Sequence, residues 1–263
     1  MTIRPRYTLE TRAGDCEHHG QYPNSLVEQF GALPIWHGCP RCHFDARHSS
    51  DAAIQKNGWS EHQRRLLNER LLDAGIPPRF QGATLTNWVA GDDAGKLKAW
   101  NIATGFTEAF SENFEVGRSM MLLGQVGTGK THLAAGILQQ VIRDYASQGL
   151  HGRYTTAGTI IRSVKETFGS RDRTESQVYA DLIAPHLLVI DEVGVQHGTD
   201  FERTVLFEVI NGRYEQLKKP TIVVSNLGLS ELRNCLGDRA VDRLRDKGGL
   251  VALFRWESAR GAA

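Results

Sequence analysis

The residues best suited to chemistry lie between Gly124 and Thr131, in the sequence GQVGTGKT. This octapeptide has the pattern G-x-x-x-x-G-K-[ST]; it follows an apolar segment of strand length, and an apolar helical pattern begins at once after it. Glycines let such a turn curl until its backbone N–H groups face phosphate oxygens, while the lysine reaches the β- and γ-phosphates. The sequence therefore predicts a phosphate-binding loop; the alternative is a glycine turn that binds nothing.

The loop residues have distinct expected roles. Lys130 is expected to contact the phosphates and Thr131 to bind Mg²⁺ through its hydroxyl, and the new helix adds the positive end of its dipole. The predicted nucleotide-binding residues run without a break from the loop into the helix: Gly124, Gln125, Val126, Gly127, Thr128, Gly129, Lys130, Thr131 and His132.

Two acidic residues end a second apolar run, LLVIDE at residues 187–192. A buried strand that carries carboxylates at its C-terminal end places them where open α/β sheets bind ligands. Asp191 is expected to hold Mg²⁺ through water, and Glu192 to polarise the attacking water. Solvated acids at a strand end are the alternative, but phosphoryl transfer needs a metal-holding acid as well as the loop.

Two further segments carry candidate polar residues. Asn226 follows the apolar run 221–225 and is predicted to orient the lytic water or sense the γ-phosphate, although asparagine is also common in turns. Arg239 and Arg243 share one helical face, which is usually solvated or ion-paired. The sharper prediction is that Arg243 reaches the γ-phosphate of a neighbouring subunit, where an arginine raises the rate roughly 10³–10⁵-fold.

A different chemistry is indicated near the N-terminus by two close ligand pairs separated by a loop: Cys16 and His19, then Cys39 and Cys42. This spacing is typical of a structural zinc site, whose four ligands leave no open position. His18, His37 and His43 are alternatives to His19, and scattered ligands in a flexible arm are the alternative to a site. A module of about 45 residues is too small for core burial alone, and zinc contributes about 10–16 kcal/mol in finger peptides.

Length and charge limit the function classes. At 263 residues the chain has room for one large domain, or for a main domain and a small one. Its net charge of +1 creates no overall electrostatic field that would attract nucleic acid or membranes. The first residues lack the apolar core of a signal peptide, and no later segment is long enough to span a bilayer, so a cytosolic protein without membrane contact is expected. In such a reducing compartment, the clustered cysteines favour metal over disulfides.

Apolar runs and helical periods alternate through the second half of the chain, which predicts a parallel sheet with helical crossovers. Strands are predicted at 119–123, 152–156, 187–191, 221–225 and 250–255. Helices are predicted at 94–110, 130–146, 157–168, 175–183, 200–218, 229–236 and 238–245. Upstream, leucines at helical spacing predict a linker helix from Trp59 to Leu72, capped by Ser60 and ended at Gly75, and 80–88 is predicted to be extended. Residues 1–50 show no helical period.

These motifs resemble those of DnaC-type replicative helicase loaders of the AAA+ class. The matching pieces are GQVGTGKTHL (124–133), LLVIDEVGVQ (187–196), LGDRAVDRLR (236–245) and FRWES (254–258), within residues 76–258. We therefore expect an α/β protein: an AAA+ P-loop NTPase core with a five-stranded parallel sheet flanked by helices. The predicted domains are a zinc-binding module at 1–50, a linker helix at 51–78 and the ATPase domain at 79–263.

The resemblance implies roles for individual residues. Lys130 and Thr131 match Walker A, Asp191 and Glu192 match Walker B, and Asn226 matches sensor 1. Arg243 matches the arginine finger, which acts on the nucleotide of a neighbouring subunit. Arg239 matches a family arginine to which the resemblance assigns no definite role. The implied cofactors are ATP and Mg²⁺, to which the residues themselves add Zn²⁺.

The resemblance also implies partners. ATP would bind between subunits of a homo-oligomer, and the assembled core would contact single-stranded DNA and a hexameric DnaB-type helicase. The family uses the region around 157–183 for DNA, where a solvated helix end is the alternative to charge and stacking from Lys165, Phe168, Arg171 and Arg173.

The N-terminus departs from the family, whose loaders usually bind the helicase through a short helical segment. Its C-x-x-H-G…C-P-x-C pattern is similar to phage and prophage relatives, which indicates such an origin. Acidic and basic residues balance in this head, so helicase is favoured over DNA as its target.

Three other functions fit some of these motifs. A transposase-helper ATPase of the IstB type shares the same core, and a nucleotide-gated scaffold would bind ATP without meaningful turnover. A small-molecule kinase fits less well, because the arginine signature and the adjacent acids favour a multimeric ATPase.

Overall fold

A computed structural model describes residues 8–29, 32–42, 61–169, 172–195, 198–216 and 218–258. The chain divides into two compact units, Met1–Glu69 with Asp144–Leu150 and Arg70–Arg143 with His151–Ala263. Four residues named above lie outside the described residues: His43, Trp59, Ser60 and Arg171.

The smaller unit contains a three-stranded antiparallel sheet in the order β1-β2-β3. Its strands are β1 (Thr8–Cys16), β2 (Gly20–Gln29) and β3 (Ala32–Trp36). Between residues 8 and 42, only Asn24, Val27 and Cys39 are buried among the described side chains. So small an apolar interior leaves little hydrophobic stabilisation, because burial scales with the area removed from water.

The larger unit contains the predicted five-stranded parallel sheet, in the order β5-β6-β7-β4-β8. The strands are β4 (Met120–Gly124), β5 (Gly152–Thr156), β6 (Leu187–Val193), β7 (Thr221–Ser225) and β8 (Leu250–Phe254). The three central strands are almost completely buried, as expected for a parallel sheet covered by helices on both faces. The fold-class prediction is confirmed.

Helices flank this sheet and precede it. They are α1 (Glu61–Asp73), α2 (Ala94–Glu108), α3 (Phe110–Val116), α4 (Lys130–Asp144), α5 (Ala157–Lys165), α6 (Glu175–Ile183), α7 (Asp200–Glu215), α8 (Leu229–Leu236) and α9 (Asp238–Arg245). No helix within the described ranges is long and apolar enough to cross a bilayer. The predicted helix 94–110 instead ends at Glu108, and a second helix, α3, follows it.

The prediction that residues 80–88 are extended is wrong. Pro78–Phe80 forms a 3-10 turn, and the next residues bend around the side chain of Asn87. Asn87 Oδ1 accepts from the Thr84 backbone N–H at 2.9 Å, and Asn87 Nδ2 donates to the Gly82 carbonyl at 2.8 Å. An asparagine side chain that satisfies the local backbone in this way removes the need for a strand partner.

A buried arginine joins several segments at the edge of the sheet where the strands begin. The guanidinium of Arg213, on α7, donates to the Thr221 hydroxyl and to four backbone carbonyls: Leu182, Ile183, Pro185 and Pro220. Its side chain is fully buried, and this burial lowers the pKa of Arg213 to about 9. The residue therefore satisfies backbone acceptors that water cannot reach.

Candidate nucleotide and metal sites

The predicted phosphate-binding loop connects β4 to α4. Gly124, Gly127 and Gly129 adopt φ values of 132°, 78° and 93°, a region that residues with side chains rarely occupy. An added Cβ at Gly124 would also lie 2.1 Å from the Phe254 carbonyl oxygen on neighbouring β8. The glycines are thus required by both conformation and close packing.

Lys130 is the first residue of α4, and its side chain turns back into the loop. Its Nζ donates to the carbonyls of Gly124 at 2.6 Å and Gln125 at 2.5 Å. Thr128 Oγ1 donates to the same Gln125 carbonyl at 2.7 Å. The ammonium group is therefore held within the loop, beside the backbone that is predicted to surround phosphate.

The two acids occupy a bulge at the end of β6. Between Ile190 and Val193 the pairing advances three residues on β6 but only two on β7. A bulge of this kind re-aims the side chains that it contains. Asp191 stays buried beside the sheet, whereas Glu192 faces solvent. The two neighbouring carboxylates therefore have different surroundings, as their different predicted roles require.

The Asp191 carboxylate is held by two donors. Tyr154 Oη, on β5, donates to Oδ2 at 2.5 Å, and the Glu192 backbone N–H donates to Oδ1 at 2.6 Å. Burial and the adjacent carboxylate raise the pKa of Tyr154 well above its ordinary value of 10.0, so the phenol remains a proton donor. No local sequence pattern predicts this contact of Tyr154, because it depends on which strand pairs with β6.

The order of the strands brings the loop, Asn226 and the acids to one edge of the sheet. Strand β7 lies between β4 and β6, and Asn226 is exposed directly after β7. With strands about 4.8 Å apart, the ends of β4 and β6 are about 10 Å from each other. Lys130 and Asp191 therefore lie on the two sides of Asn226 at this edge.

Arg243 occupies a separate environment within its own chain. Its Nη2 donates to Glu215 Oε1 at 2.7 Å, and its guanidinium carbon lies 5.3 and 5.4 Å from the ring centroids of Phe207 and Tyr214. The Arg243 bond is the largest cause of a lowered pKa at Glu215. The predicted finger is thus held by an ion pair and two aromatic rings.

The structure does not bring Arg243 to the loop of its own chain. Arg243 lines a small cavity with Ser119 and Thr221, which lie at the start of β4 and β7, whereas the loop follows the end of β4. Arg239, one turn earlier on α9, is exposed.

His132 contacts the bend at 82–87 rather than the loop interior. Its Nε2 lies 2.7 Å from Asn87 Oδ1 and 3.1 Å from the Thr84 carbonyl oxygen. Because both partners are acceptors, Nε2 is the protonated nitrogen. This contact joins the segment before α2 to the first turn of α4.

Two tryptophans, Trp88 and Trp256, lie against the loop. Trp256 Nε1 donates to the Thr128 carbonyl at 3.0 Å, and an added Cβ at Gly129 would lie 2.5 Å from Trp88 Nε1. For Trp256 the sequence signal was FRWES, the segment that supports the family resemblance.

The predicted zinc ligands form one cluster in the smaller unit: Cys16, His19, Cys39 and Cys42. His19 Nδ1 lies 3.7, 3.6 and 3.3 Å from the three sulfur atoms in chain order. The sulfurs of Cys16 and Cys42 are 3.6 Å apart. A tetrahedron of zinc bonds has edges of about 3.8 Å between sulfurs and about 3.6 Å between sulfur and nitrogen, so the cluster fits zinc.

The thiols of this cluster have perturbed pKa values. The His18 backbone N–H lowers the pKa of Cys16 to about 6, which favours a thiolate ligand. The hydrogen bond to Cys16 raises the pKa of Cys42 to about 11. His19, and not its neighbour His18, belongs to the cluster.

The fold and the loop together define the class of protein. A parallel sheet with a glycine-rich phosphate loop after one central strand, acids after another and a polar residue between them is an ATP-binding domain of the AAA+ class. Comparison with protein families agrees, because residues 97–248 match the IstB-like ATP binding protein family. The chain belongs to this IstB/DnaC-like family.

Individual relatives and solved structures are consistent with this assignment. The replicative helicase loader DnaC of Escherichia coli K12 is 30% identical over 209 residues, or 80% of each chain. DnaC of Buchnera aphidicola subsp. Schizaphis graminum is 30% identical over 77% of this chain and 84% of that protein. A crystal structure of the DnaC helicase loader shares the fold with a TM-score of 0.58 and 22% identity, over 68% of this chain and 99% of that chain.

Proposed function

We propose that this protein is an ATP-dependent loader of a hexameric DnaB-type replicative helicase onto single-stranded DNA. The observation that carries the proposal is the placement of Lys130, Asn226, Asp191 and Glu192 along one sheet edge, in a chain 30% identical to DnaC over four fifths of both proteins. The sheet edge supports nucleotide chemistry, and the relatives support its use in helicase loading.

In this proposal each residue at the edge acts on a different part of ATP. The loop N–H groups and Lys130 bind the phosphates, and Thr131 and Asp191 hold Mg²⁺, which neutralises phosphate charge when bound. Glu192 polarises the attacking water, and Asn226 orients it. Tyr154 positions Asp191 by donating to the carboxylate oxygen that faces away from the Glu192 amide.

ATP is proposed to bind between copies of the chain, so that hydrolysis is linked to assembly. Arg243 lies near the strand starts and cannot serve the loop at the strand ends of the same chain. It is therefore proposed to reach the γ-phosphate of a neighbour, after exchanging its bond to Glu215 for the phosphate. ATP would hold neighbouring subunits together, and its cleavage would release them.

The zinc cluster is proposed to fold a head that binds the helicase. Four Cys and His ligands within 4.8 Å of one another hold a structural metal and leave no position for substrate. Zinc supplies folding energy here and no reaction step. The test uses the full chain, with a double variant, Cys39→Ala with Cys42→Ala, in a pull-down of DnaB-type helicase. Equal capture by both proteins would contradict the role of the head.

The ATPase proposal is tested by mixing two inactive variants. Lys130→Ala should bind no ATP, and Arg243→Ala should bind ATP but hydrolyse it slowly. If the arginine acts between copies, a mixture of the two should release more phosphate than either alone, because some Lys130→Ala subunits donate an intact Arg243. A mixture of Lys130→Ala with Glu192→Gln is the control: both variants keep Arg243 but neither has a competent loop, so this mixture should release no more phosphate than either variant alone.

Absence of ATP binding by wild-type protein in calorimetry would overturn the proposal at its base. Phosphate release without any gain in the mixture would remove the role of Arg243 alone. A final assay measures DNA unwinding by helicase supplied with loader and single-stranded DNA, where the wild type should stimulate and Lys130→Ala should not.

A second candidate, a transposase-helper ATPase, is favoured by the match of residues 97–248 to IstB-like proteins. It predicts the same ATP chemistry and a different partner. Co-purification of a transposase in place of a replicative helicase would decide for this alternative.

A further inference from the structure

The end of β8 and the segment after it lie against the phosphate-binding loop at three points. The Gln125 backbone N–H donates to the Phe254 carbonyl at 3.1 Å, and Trp256 Nε1 donates to the Thr128 carbonyl at 3.0 Å. Beyond them, an added Cβ at Gly127 would lie 2.0 Å from Ser258 Oγ. The loop is thus in contact with the chain about 130 residues downstream, over most of its length.

Trp256 is itself held in place by aromatic packing. Its ring centroid is 4.8 Å from that of Phe254 and 6.0 Å from that of Trp88, with the latter ring turned by 70°. Trp88 is mostly buried and also packs against Gly129 of the loop. The Trp256 indole is therefore restrained by two aromatic neighbours as well as by its bond to the loop.

We propose that Trp256 is a positioning residue for the phosphate-binding loop. In a planar trans peptide the C=O and the following N–H point in opposite directions. By fixing the Thr128 carbonyl toward the indole, Trp256 fixes the Gly129 N–H in the opposite direction. Gly129 has a φ of 93° and no side chain, so its peptide plane would otherwise turn easily.

The same peptide has a second restraint that makes its orientation specific. Thr128 Oγ1 donates to the Gln125 carbonyl at 2.7 Å, which fixes the residue from the side-chain end. Trp256 fixes it from the carbonyl end. The consequence is a loop whose donors are oriented before nucleotide binds, which reduces the ordering that binding must cause.

The test is Trp256→Phe, which keeps an aromatic ring against Phe254 and Trp88 and deletes only the donor. Because one hydrogen bond is lost, KM for ATP should rise about 3- to 10-fold with kcat within a factor of two. The matched control is Trp100→Phe, which deletes another indole bond to a carbonyl, that of Leu85 at 2.8 Å. The control should leave KM unchanged.

Thermal denaturation of both variants separates orientation from folding, and the midpoints should remain close to that of the wild type. An unchanged KM in Trp256→Phe, an equal rise in Trp100→Phe, or a loss of kcat alone would each overturn this role. The inference rests on ATP binding at this loop. Failure of the wild type to bind ATP would refute the proposed function. Equally tight ATP binding by the wild type and by Trp256→Phe would refute only the role of Trp256.

Discussion

The two units of this chain differ in how their described residues are packed. In the smaller unit, residues 8–42 form a three-stranded sheet with few buried side chains among those that the structure describes, and they bring four candidate metal ligands together. The larger unit has a continuous core of buried strands and helices and places its polar residues at the strand ends. The comparison predicts that metal ligation takes the place of a core in the smaller unit, whereas the large core of the other unit leaves its sheet edge available for chemistry.

The largest expected effect is the loss of zinc from the smaller unit. Cys39→Ser, or treatment with a strong chelator, should abolish amide protection across residues 8–42, because zinc ligation contributes about 10–16 kcal/mol in finger peptides. Hydrogen exchange measured by mass spectrometry should show no change in β4, β6 and β7. Cys235→Ser is the control, since Cys235 lies on α8 outside the cluster. Retained protection of 8–42 without metal would break the comparison.

The next effect tests the larger unit at Arg213. Arg213→Leu removes the donors to five acceptors and should destabilise the unit by about 3 kcal/mol. Leaving buried acceptors without donors costs more free energy than is gained by removing the buried charge. Urea unfolding measures this difference. Arg203→Leu, on the same helix but with 45% of its side chain exposed, should change stability by less than about 0.5 kcal/mol. Similar losses of unfolding free energy in the two variants would show that burial of Arg213 does not account for its contribution to stability.

A smaller, pH-dependent effect is expected at His186. Burial lowers the pKa of His186 to about 4, from an ordinary 6.5. Burial of the neutral His186 therefore costs no stability above pH 6.5. As the pH falls toward 4, the free energy of unfolding decreases, because the unfolded chain takes up a proton that the folded chain excludes. The total loss is roughly 2–3 kcal/mol.

His186→Gln removes this titration while offering an acceptor for the His151 backbone N–H. Unfolding curves at several pH values should show the wild type losing more stability than the variant between pH 6.5 and 4. Zinc release at low pH is common to both proteins and cancels in the difference. Parallel pH profiles would contradict the assignment.

The smallest effect is expected at the ion pair between Arg243 and Glu215, whose carboxylate is half exposed. Glu215→Gln should lower the thermal midpoint only slightly, because solvent screens exposed pairs. The bond to Arg243 lowers the pKa of Glu215 below its ordinary 4.5, so the pair stabilises above that pH and is lost as pH falls further. The difference from wild type should accordingly shrink below pH 4.5; a large, pH-independent loss would indicate a packing role instead.

The sequence was most informative where a short residue pattern by itself determines the local structure. The three central strands were predictable because strands buried on both faces are continuous apolar runs, and the loop was predictable because its glycines are required locally. The four candidate zinc ligands were equally clear from two short spacings, and the structure places the predicted His19, rather than His18, in the cluster.

What could not be predicted depends on contacts between distant segments or on weak periodicity. The three-stranded sheet has too few buried residues for an alternating pattern, and the segment 80–88 is bent by Asn87 rather than paired. The bond from Trp256 to Thr128 spans 128 residues, and no local pattern reports such a contact. The same holds for Tyr154, whose partner is set by strand order.

One feature of the acid pair bears on how such a protein can change. Glu192 has a backbone φ of 57°, in the left-handed region that asparagine and glycine adopt at lower conformational free energy than glutamate. Holding glutamate there costs of order 1 kcal/mol or more. Selection for heat resistance alone would therefore exchange this acid for a smaller residue. The resulting protein would be more stable to heat but would lack the side chain proposed to activate water. Thermal stability and turnover therefore compete at a single position of the chain.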